Sequence, residues 1–256
     1  MQRDERGSAA VTLAADEIKA CCAAAYSSGA ARLLLGDSFH SGGPALTSRL
    51  ARALRVGPGD LVVDVACGPG TSALQLARET GCEVIGVDVA PPPDADDPRV
   101  RFVAGDAEAL PLADASVDGA LCECALCIFP DKQAAARELT RVLRPGARLA
   151  LSDLTARREE LPESLRSLPA WVACVGDARP LDEIAALFET AGLLVEQTER
   201  HDEALASLLN RIEARLKVAA MLDAERVATG RALLLEVRRG LEGGQLGYGI
   251  VVAQRP

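Results

Sequence analysis

Short apolar runs alternate with helical patterns between residues 61 and 154. Runs such as "LVVDVAC" are apolar at nearly every position, which is typical of strands buried on both faces of a parallel sheet. Strands of this kind that alternate with helices indicate an α/β fold in which helices cover both faces of the sheet. The predicted strands are 61–67, 82–88, 99–106, 116–124 and 147–154, with helices at 71–80 and 131–143.

The segments on either side of this region are mostly helical. An Ala- and Leu-rich pattern predicts one helix over 10–35, and a turn-rich link leads to a second helix at 45–54. We expect an N-terminal helical cap (residues 1–54) and a larger domain (residues 55–256) that form one compact unit. Downstream, the pattern predicts a helix at 181–191, a strand at 193–200, an amphipathic helix with apolar residues from Leu205 to Leu216, a helix ending near 239 and a closing strand, "LGYGIVVAQ".

Composition narrows the possible functions. The net charge of −9 and the aromatic content of 3% argue against a nucleic-acid-binding surface, which is normally basic and uses aromatic stacking. No apolar run has the length of a membrane span, and the N-terminus does not resemble a secretory signal. We therefore expect a cytoplasmic protein whose eight cysteines are reduced thiols.

The stretch "DVACGPGTS" (64–72) predicts a strand, a glycine-rich turn and the start of a helix. The glycines let a ligand approach the backbone closely, and the helix start offers unpaired N–H groups. Asp88 ends the next strand, where an acidic residue typically accepts hydrogen bonds from ribose hydroxyls, and Asp106 is placed to reach an adenine amino group. The predicted cofactor-binding residues are Asp64, Ala66, Gly68, Gly70, Thr71, Asp88, Val89, Asp106, Ala107 and Cys122.

The class of nucleotide cofactor follows from this loop. A P-loop requires a lysine after its glycines, and none follows them here. A dinucleotide-binding fingerprint requires a third glycine, which is also missing. With "GVD", "GDAEALPLADASVDGA" and "RELTRVLRPGARL" following in order, residues 55–200 closely resemble class I S-adenosylmethionine-dependent methyltransferases. The resemblance implies S-adenosylmethionine as cofactor and a Rossmann-like seven-stranded sheet with a reversed last strand. One departure is "VAPPPDADDP" (89–98), whose three prolines forbid the helix usual between strands two and three.

Three cysteines fall within six positions in "LCECALCIFPDK" (121–132). Alternate residues of a strand share a face, so Cys122 and Cys124 are expected to point the same way, with Cys127 on the loop beyond. Thiolates at the cofactor edge of a sheet suit a soft, thiophilic atom.

A narrower resemblance rests on "ECALCIFPDKQAAARELTRVL", "LSDL" and "LPAWVAC", which look like arsenite methyltransferases. It implies that Cys124 and Cys174 bind a trivalent arsenical, either arsenite or methylarsenite, with a third thiol from "EIKACC" (Cys21 or Cys22). It also implies a small-thiol reductant as partner and leaves Cys122 and Cys127 as alternative ligands. Three departures leave another thiophilic element, such as selenium or tellurium, open as the acceptor: Glu123 replaces an asparagine, "VGDAR" lacks a double glycine, and no cysteine follows Cys174.

Three alternatives remain open at this point. Cys122, Cys124, Cys127 and Cys174 could form a structural zinc site, although their spacing is unusual for one. An O- or C-methyltransferase with incidental cysteines would need a base, for which Glu123, Asp153 and His40 qualify. A thiol-rich metalloid-binding protein is the third alternative. Cys67 and Cys82 are expected to be packing residues.

Overall fold

The computed structural model describes residues 14–256 except 37, 222, 224 and 226. A seven-stranded sheet lies at its centre, in the order β3-β2-β1-β4-β5-β7-β6, with β7 antiparallel to both of its neighbours. The prediction of a seven-stranded methyltransferase-type sheet with a reversed last strand is confirmed. The strands are β1 (Leu61–Val65), β2 (Glu83–Asp88), β3 (Val100–Ala104), β4 (Val117–Glu123), β5 (Leu143–Ala156), β6 (Leu194–Arg200) and β7 (Leu246–Gln254).

Helices cover both faces of this sheet, as the alternation of patterns predicts. Two clusters of buried apolar side chains lie on its two sides. The helices are α1 (Ala15–Tyr26), α2 (Gly29–Leu35), α3 (Gly43–Leu54), α4 (Thr71–Thr80), α5 (Lys132–Val142), α6 (Leu168–Val172), α7 (Leu181–Thr190), α8 (Asp202–Ala220) and α9 (Ala228–Glu242). In the described part of the chain, no helix is long and apolar enough to cross a bilayer.

The single helix predicted over 10–35 is wrong within the described residues. The chain forms α1 and α2 with a break at Ser27 and Ser28. The Ser28 hydroxyl accepts the Ala31 N–H at 3.1 Å, which starts a new helix, because serine favours N-caps over helix interiors. Residues 10–13 lie outside the described residues. The boundary of the cap at residue 54 stays a prediction.

The strand predicted over 116–124 ends earlier, and this changes where the cysteines point. β4 stops at Glu123, and Cys124 has a φ of 55°, in the left-handed region. Cys122 is therefore packed in the core cluster beside α5 and α7, whereas Cys124 packs against the opposite cluster. The prediction that the two side chains share a face is wrong, since alternation holds only while the strand continues.

The connection between β2 and β3 contains no helix, in agreement with its three prolines. Phe102 of β3 occupies space next to the glycine loop instead. A Cβ on Gly70 would lie 2.2 Å from the Phe102 ring, and one on Gly86 would lie 2.6 Å from it. The Phe102 ring thus packs directly against the backbone of both glycines, in the space that a side chain would fill. This contact supports the cofactor loop from the side of β3.

Candidate functional site

A cavity of about 500 Å³ opens at the carboxyl ends of β1, β2 and β4. This is where open α/β sheets bind their ligands. Helix α1 contributes Lys19, Cys22, Ala23 and Tyr26, which recur at helical spacing and therefore form one face over the cavity. Eight of the predicted cofactor-binding residues line it: Asp64, Ala66, Gly68, Thr71, Asp88, Val89, Asp106 and Ala107.

The glycine loop presents open backbone to this cavity. Ala66 and Gly68 have φ values of 57° and 52°, and a Cβ built on Gly68 would meet no atom within 4 Å. The Gly68 N–H donates to Asp88 Oδ2 at 2.9 Å, which ties the loop to the end of β2. The loop therefore provides the close backbone approach that its sequence predicts.

Asp64 carries an unsatisfied acceptor. Its side chain is buried, it accepts the Ala73 N–H, and its Oδ2 has no partner among the described residues. Burial, together with the charges of Glu123 and Asp88, raises its pKa well above the ordinary range. A cationic donor would relieve this, and S-adenosylmethionine carries an ammonium group on its methionine part. The residues present thus fit this cofactor.

The adenosine end of the cavity is acidic and partly closed by the cap. Asp88 Oδ1 accepts the Ala90 N–H, and each carboxylate oxygen keeps further acceptor capacity for a ribose. Val89 is half exposed, which offers an apolar surface beside them. Asp106 pairs with Lys19 of α1 at 2.6 Å, so an adenine amino group would share this carboxylate with the lysine.

Two predicted cofactor residues lie elsewhere. Gly70 does not line the cavity; it begins α4 with a φ of 78° and packs on Phe102. Cys122 is fully buried on the other side of β4. The glycine pattern gave no sign of which glycine faces the ligand, because this depends on the position of Phe102.

Three thiols converge behind the cavity wall. The side chains of Cys124, Cys127 and Cys174, hereafter the thiol cluster, are near neighbours, and each of them shifts the pKa of the other two. Cys174 Sγ also lies 3.6 Å from the Cys124 carbonyl oxygen and 3.0 Å from the Tyr26 hydroxyl. Cys124 lines the cavity, so the cluster borders the cofactor space. The structure thus brings Cys124 and Cys174 together, and their role as arsenic ligands stays a prediction.

Charge within the thiol cluster is uneven. Hydrogen bonds from Cys124 and then Cys127, with a further one from Tyr26, hold the pKa of Cys174 well below its ordinary range. Burial raises the pKa of the Cys127 thiol, and the Cys127 backbone N–H donates to Asp153 Oδ2 at 2.9 Å. Of the three thiols, Cys174 is therefore the one whose ionised form its neighbours favour most.

The two cysteines of α1 have different environments. Cys22 is buried and lines the cavity, and burial followed by the charge of Cys174 raises its pKa to about 11. Cys21 is exposed and does not line the cavity. Within α1, Cys22 is thus the candidate for a further ligand.

The backbone at the thiol cluster is strained. Cys124 and Cys174 have φ values of 55° and 66°, and a non-glycine residue in this region costs about 1–3 kcal/mol. Such conformations persist where surrounding contacts enforce them, and they concentrate at functional sites. The sequence gives no signal for this strain.

A second polar group lines the cavity beside Cys124. His40 Nδ1 lies 3.4 Å from Glu123 Oε1, and the Thr47 hydroxyl donates to Glu123 at 3.1 Å. His40 Nε2 lies 2.8 Å from the Ser38 hydroxyl. His40 and Glu123 are both buried, although nothing in their sequence separation indicates that they meet.

The zinc alternative gains no support. Among the residues that the structure describes, no group of three or more His, Cys, Asp or Glu side chains has the arrangement of a metal-ion site, and this includes Cys124, Cys127 and Cys174 as they stand. Cys122, one of its four proposed ligands, lies apart from the thiol cluster.

Comparisons with known proteins agree with this architecture. Residues 63–151 match the family described as "Methyltransferase domain". The chain is 32% identical over 230 residues to 27-O-demethylrifamycin SV methyltransferase of Amycolatopsis mediterranei, covering 82% of this chain and 83% of that protein. It is 35% identical over 177 residues to methyltransferase GfsG of Streptomyces halstedii, covering 64% of this chain and 63% of that protein. It is 32% identical over 158 residues to arsenite methyltransferase of Halobacterium salinarum, covering 57% and 40%.

Solved structures share the fold. Geranyl diphosphate methyltransferase in complex with GPP and sinefungin superposes with a TM-score of 0.73 at 17% identity, over 93% of this chain and all of that one. Haemonchus contortus phosphoethanolamine N-methyltransferase 2 in complex with S-adenosyl-L-methionine gives a TM-score of 0.70 at 17% identity, over 91% and 56%. The predicted cofactor, S-adenosylmethionine, is confirmed. Given the sheet order, the cavity and a relative matched over four-fifths of both sequences, this chain belongs to the class I S-adenosylmethionine-dependent methyltransferases.

Proposed function

We propose that this protein transfers the methyl group of S-adenosylmethionine to a trivalent arsenical held by the thiol cluster. The observation that carries the proposal is the convergence of Cys124, Cys127 and Cys174, from two separate segments, at the wall of the cofactor cavity. Trivalent arsenic is thiophilic and forms three bonds, so arsenite can take three thiolates and methylarsenite two. The cysteines of the arsenite-methyltransferase motif supply two of these thiols, and Cys127 supplies the third.

Loading of the cluster needs no general base. Each new As–S bond displaces one arsenite oxygen as water: Cys124 and Cys127 give their own protons to the departing oxygens, and solvent protonates the oxygen that the Cys174 thiolate displaces. The Cys174 thiolate begins this exchange, because thiolate rather than thiol is the nucleophile. The hydrogen bonds among the three thiols are replaced by bonds to arsenic.

S-adenosylmethionine supplies an electrophilic methyl group on its sulfonium sulfur. Asp64, Gly68, Asp88 and Asp106 would hold it at the cavity wall. The bound cofactor would give this methyl group to the arsenic lone pair, and the electron pair of the broken S–CH₃ bond would stay on sulfur. Arsenic is oxidised from III to V, and two equivalents of a small thiol reduce it again while forming a disulfide. The chain contributes mainly positioning, which can supply a large part of a rate enhancement.

The test is turnover with S-adenosylmethionine, an excess of a small thiol, and arsenite or methylarsenite. We expect S-adenosylhomocysteine and methylated arsenicals in step. Cys124→Ser and Cys174→Ser should lose turnover while cofactor affinity, measured by calorimetry, stays within about twofold. Cys21→Ser is the matched control, since that thiol is exposed and lies outside the cluster. Absence of any methylated arsenical from the folded, cofactor-binding protein would refute the proposal.

O-methyl transfer is the second candidate, and the His40–Glu123 pair favours it. A histidine oriented by a buried carboxylate is a typical general base for a hydroxyl group. The rifamycin relative acts, by its name, on 27-O-demethylrifamycin SV. However, His40 Nε2 already hydrogen-bonds the Ser38 hydroxyl, and a substrate hydroxyl would have to displace it. For this reason we rank O-methyl transfer below the arsenical function.

The two candidates give opposite variant profiles. With 27-O-demethylrifamycin SV as acceptor, O-methyl transfer predicts S-adenosylhomocysteine formation that His40→Ala abolishes and Cys174→Ser preserves. The arsenical function predicts turnover with arsenite that Cys174→Ser abolishes. A protein that binds arsenite without turnover would instead be a metalloid-binding protein.

A further inference from the structure

The thiol cluster is built from two segments that are far apart in sequence. Cys124 and Cys127 lie in the connection from β4 to α5, and Cys174 lies just after α6. Both Cys124 and Cys174 have left-handed backbone conformations, which need enforcement from outside the thiols. The contacts that join the two segments therefore decide whether the cluster exists.

One buried lysine makes these contacts. Lys132, the first residue of α5, donates from Nζ to the carbonyl oxygens of Cys127 (3.3 Å) and Phe129 (3.0 Å). The same Nζ pairs with Asp177 Oδ2 at 2.6 Å, three residues beyond Cys174. The ammonium group thus bridges the loop of two thiols to the loop of the third.

Asp177, the ion-pair partner of Lys132, also pairs with two arginines. Asp177 Oδ1 accepts from Arg158 at 2.8 Å and from Arg179 at 3.1 Å, so its carboxylate stays paired without the lysine. Trp171 donates from Nε1 to the Ile128 carbonyl at 3.2 Å, and Lys132 Nζ lies 5.8 Å from its ring centroid. Two side chains, one from each segment, therefore connect the same two loops.

A buried ion pair is poor evidence for stability, because desolvation offsets much of the attraction between the charges. Its better-attested use is to select one arrangement of the elements it joins. Lys132 is 9% exposed in its side chain and Asp177 is 4% exposed, and neither lines the cofactor cavity. Their position next to the cluster points to this selective use.

We propose that Lys132 is a positioning residue, which holds the Cys124–Cys127 loop and the Cys174 loop at the spacing at which the three thiols converge. The proposal rests on the proposed arsenical function for its purpose, but the spacing can be measured without arsenic. Lys132 acts through the backbone carbonyls and Asp177, and it touches neither substrate nor cofactor.

The experiment uses dibromobimane, which becomes fluorescent when it joins two nearby thiols, and peptide mass spectrometry to identify the joined pair. The variants are Lys132→Met, Lys132→Arg and Asp177→Asn in the full chain, with Lys217→Met as control because Lys217 lies on the surface of α8. We expect Lys132→Met and Asp177→Asn to lower bridging of Cys174 to Cys124 or Cys127 by about tenfold. Bridging within the Cys124–Cys127 loop and cofactor affinity should stay within about twofold of wild type.

Partial return of cross-loop bridging in Lys132→Arg would show that the positive charge of residue 132 holds the two loops together, rather than the packing of its side chain. Wild-type cross-loop bridging in a folded Lys132→Met or Asp177→Asn protein would overturn the proposal. If one variant does not fold, the other decides the question. Arsenite protection of the three thiols is measured in parallel. Wild-type protein that bridges across the loops but binds no arsenite would refute the function and leave the role of Lys132 intact.

Discussion

Replacing Asp64 with asparagine is expected to move cofactor affinity and protein stability in opposite directions. The carboxyl group is buried, and its Oδ2 has no partner among the described residues, so in the cofactor-free protein it either bears the desolvation cost of a charge or takes up a proton, as its raised pKa indicates. In the loaded protein the same oxygen is expected to pair with the cofactor ammonium group. Asparagine keeps an acceptor for the Ala73 N–H and removes the charge.

The magnitudes follow from these contacts. A hydrogen bond to a charged group contributes about 1.5–3 kcal/mol, so Asp64→Asn should weaken cofactor binding by about 10- to 150-fold. Removal of the uncompensated charge should raise the free energy of unfolding of the cofactor-free protein by about 1 kcal/mol or more. Calorimetry with S-adenosylhomocysteine and urea unfolding of cofactor-free protein measure the two quantities.

Asp96→Asn is the matched control, because it makes the same chemical change at an exposed position. It should leave both quantities within error of wild type. Loss of stability together with loss of affinity in Asp64→Asn would refute the reasoning, since it would show that the carboxylate stabilises the empty protein. Unchanged affinity would show that Asp64 does not contact the cofactor.

Three further predictions address the packing and the thiols. Burial and then the charge of Cys174 raise the pKa of Asp153 from its ordinary value of 3.8 to about 7, so the folded state binds more protons and stability falls as pH rises between these values. Both oxygens of Asp153 accept backbone N–H groups, from Cys127 and Leu154, and asparagine keeps only one acceptor, so Asp153→Asn costs stability at every pH. The substitution also removes the titration, so in urea titrations its free energy of unfolding relative to wild type should be higher at pH 8 than near pH 4 by at most about 4 kcal/mol; a pH-independent difference would contradict this. Gly70→Ala should lower the free energy of unfolding by about 2–4 kcal/mol, because Gly70 has a φ of 78° and an added Cβ would contact the Phe102 ring. In urea unfolding, the Gly70→Ala, Phe102→Ala double mutant should lose less stability than the sum of the two single mutants. Strict additivity would contradict the contact. In timed alkylation, Cys21 should react at least about tenfold faster than Cys22, whose burial raises its pKa to about 11, and equal rates would show that α1 does not cover the cavity.

The sequence by itself determined the fold and the cofactor. Apolar runs that alternate with helical patterns indicate a parallel sheet, because strands buried on both faces are apolar at nearly every position. The order of Asp64, the glycine turn, Asp88 and Asp106 indicated the carboxyl edge of that sheet and its ligand. The resemblance to arsenite methyltransferases also indicated Cys124 and Cys174, because the motifs that carry it are local; their role as ligands stays a prediction.

Tertiary structure decided which side chains meet. The end of β4 at Glu123 and the left-handed turn at Cys124 direct Cys122 and Cys124 to opposite sides, which strand alternation alone could not foresee. Cys127 joins the thiol cluster, and Gly70 turns away from the cavity toward Phe102. The pairs Lys132–Asp177 and His40–Glu123 form between residues 45 and 83 positions apart (177 − 132 and 123 − 40). Such contacts depend on how loops pack after the sheet has formed, and residue patterns of short period carry no information about them.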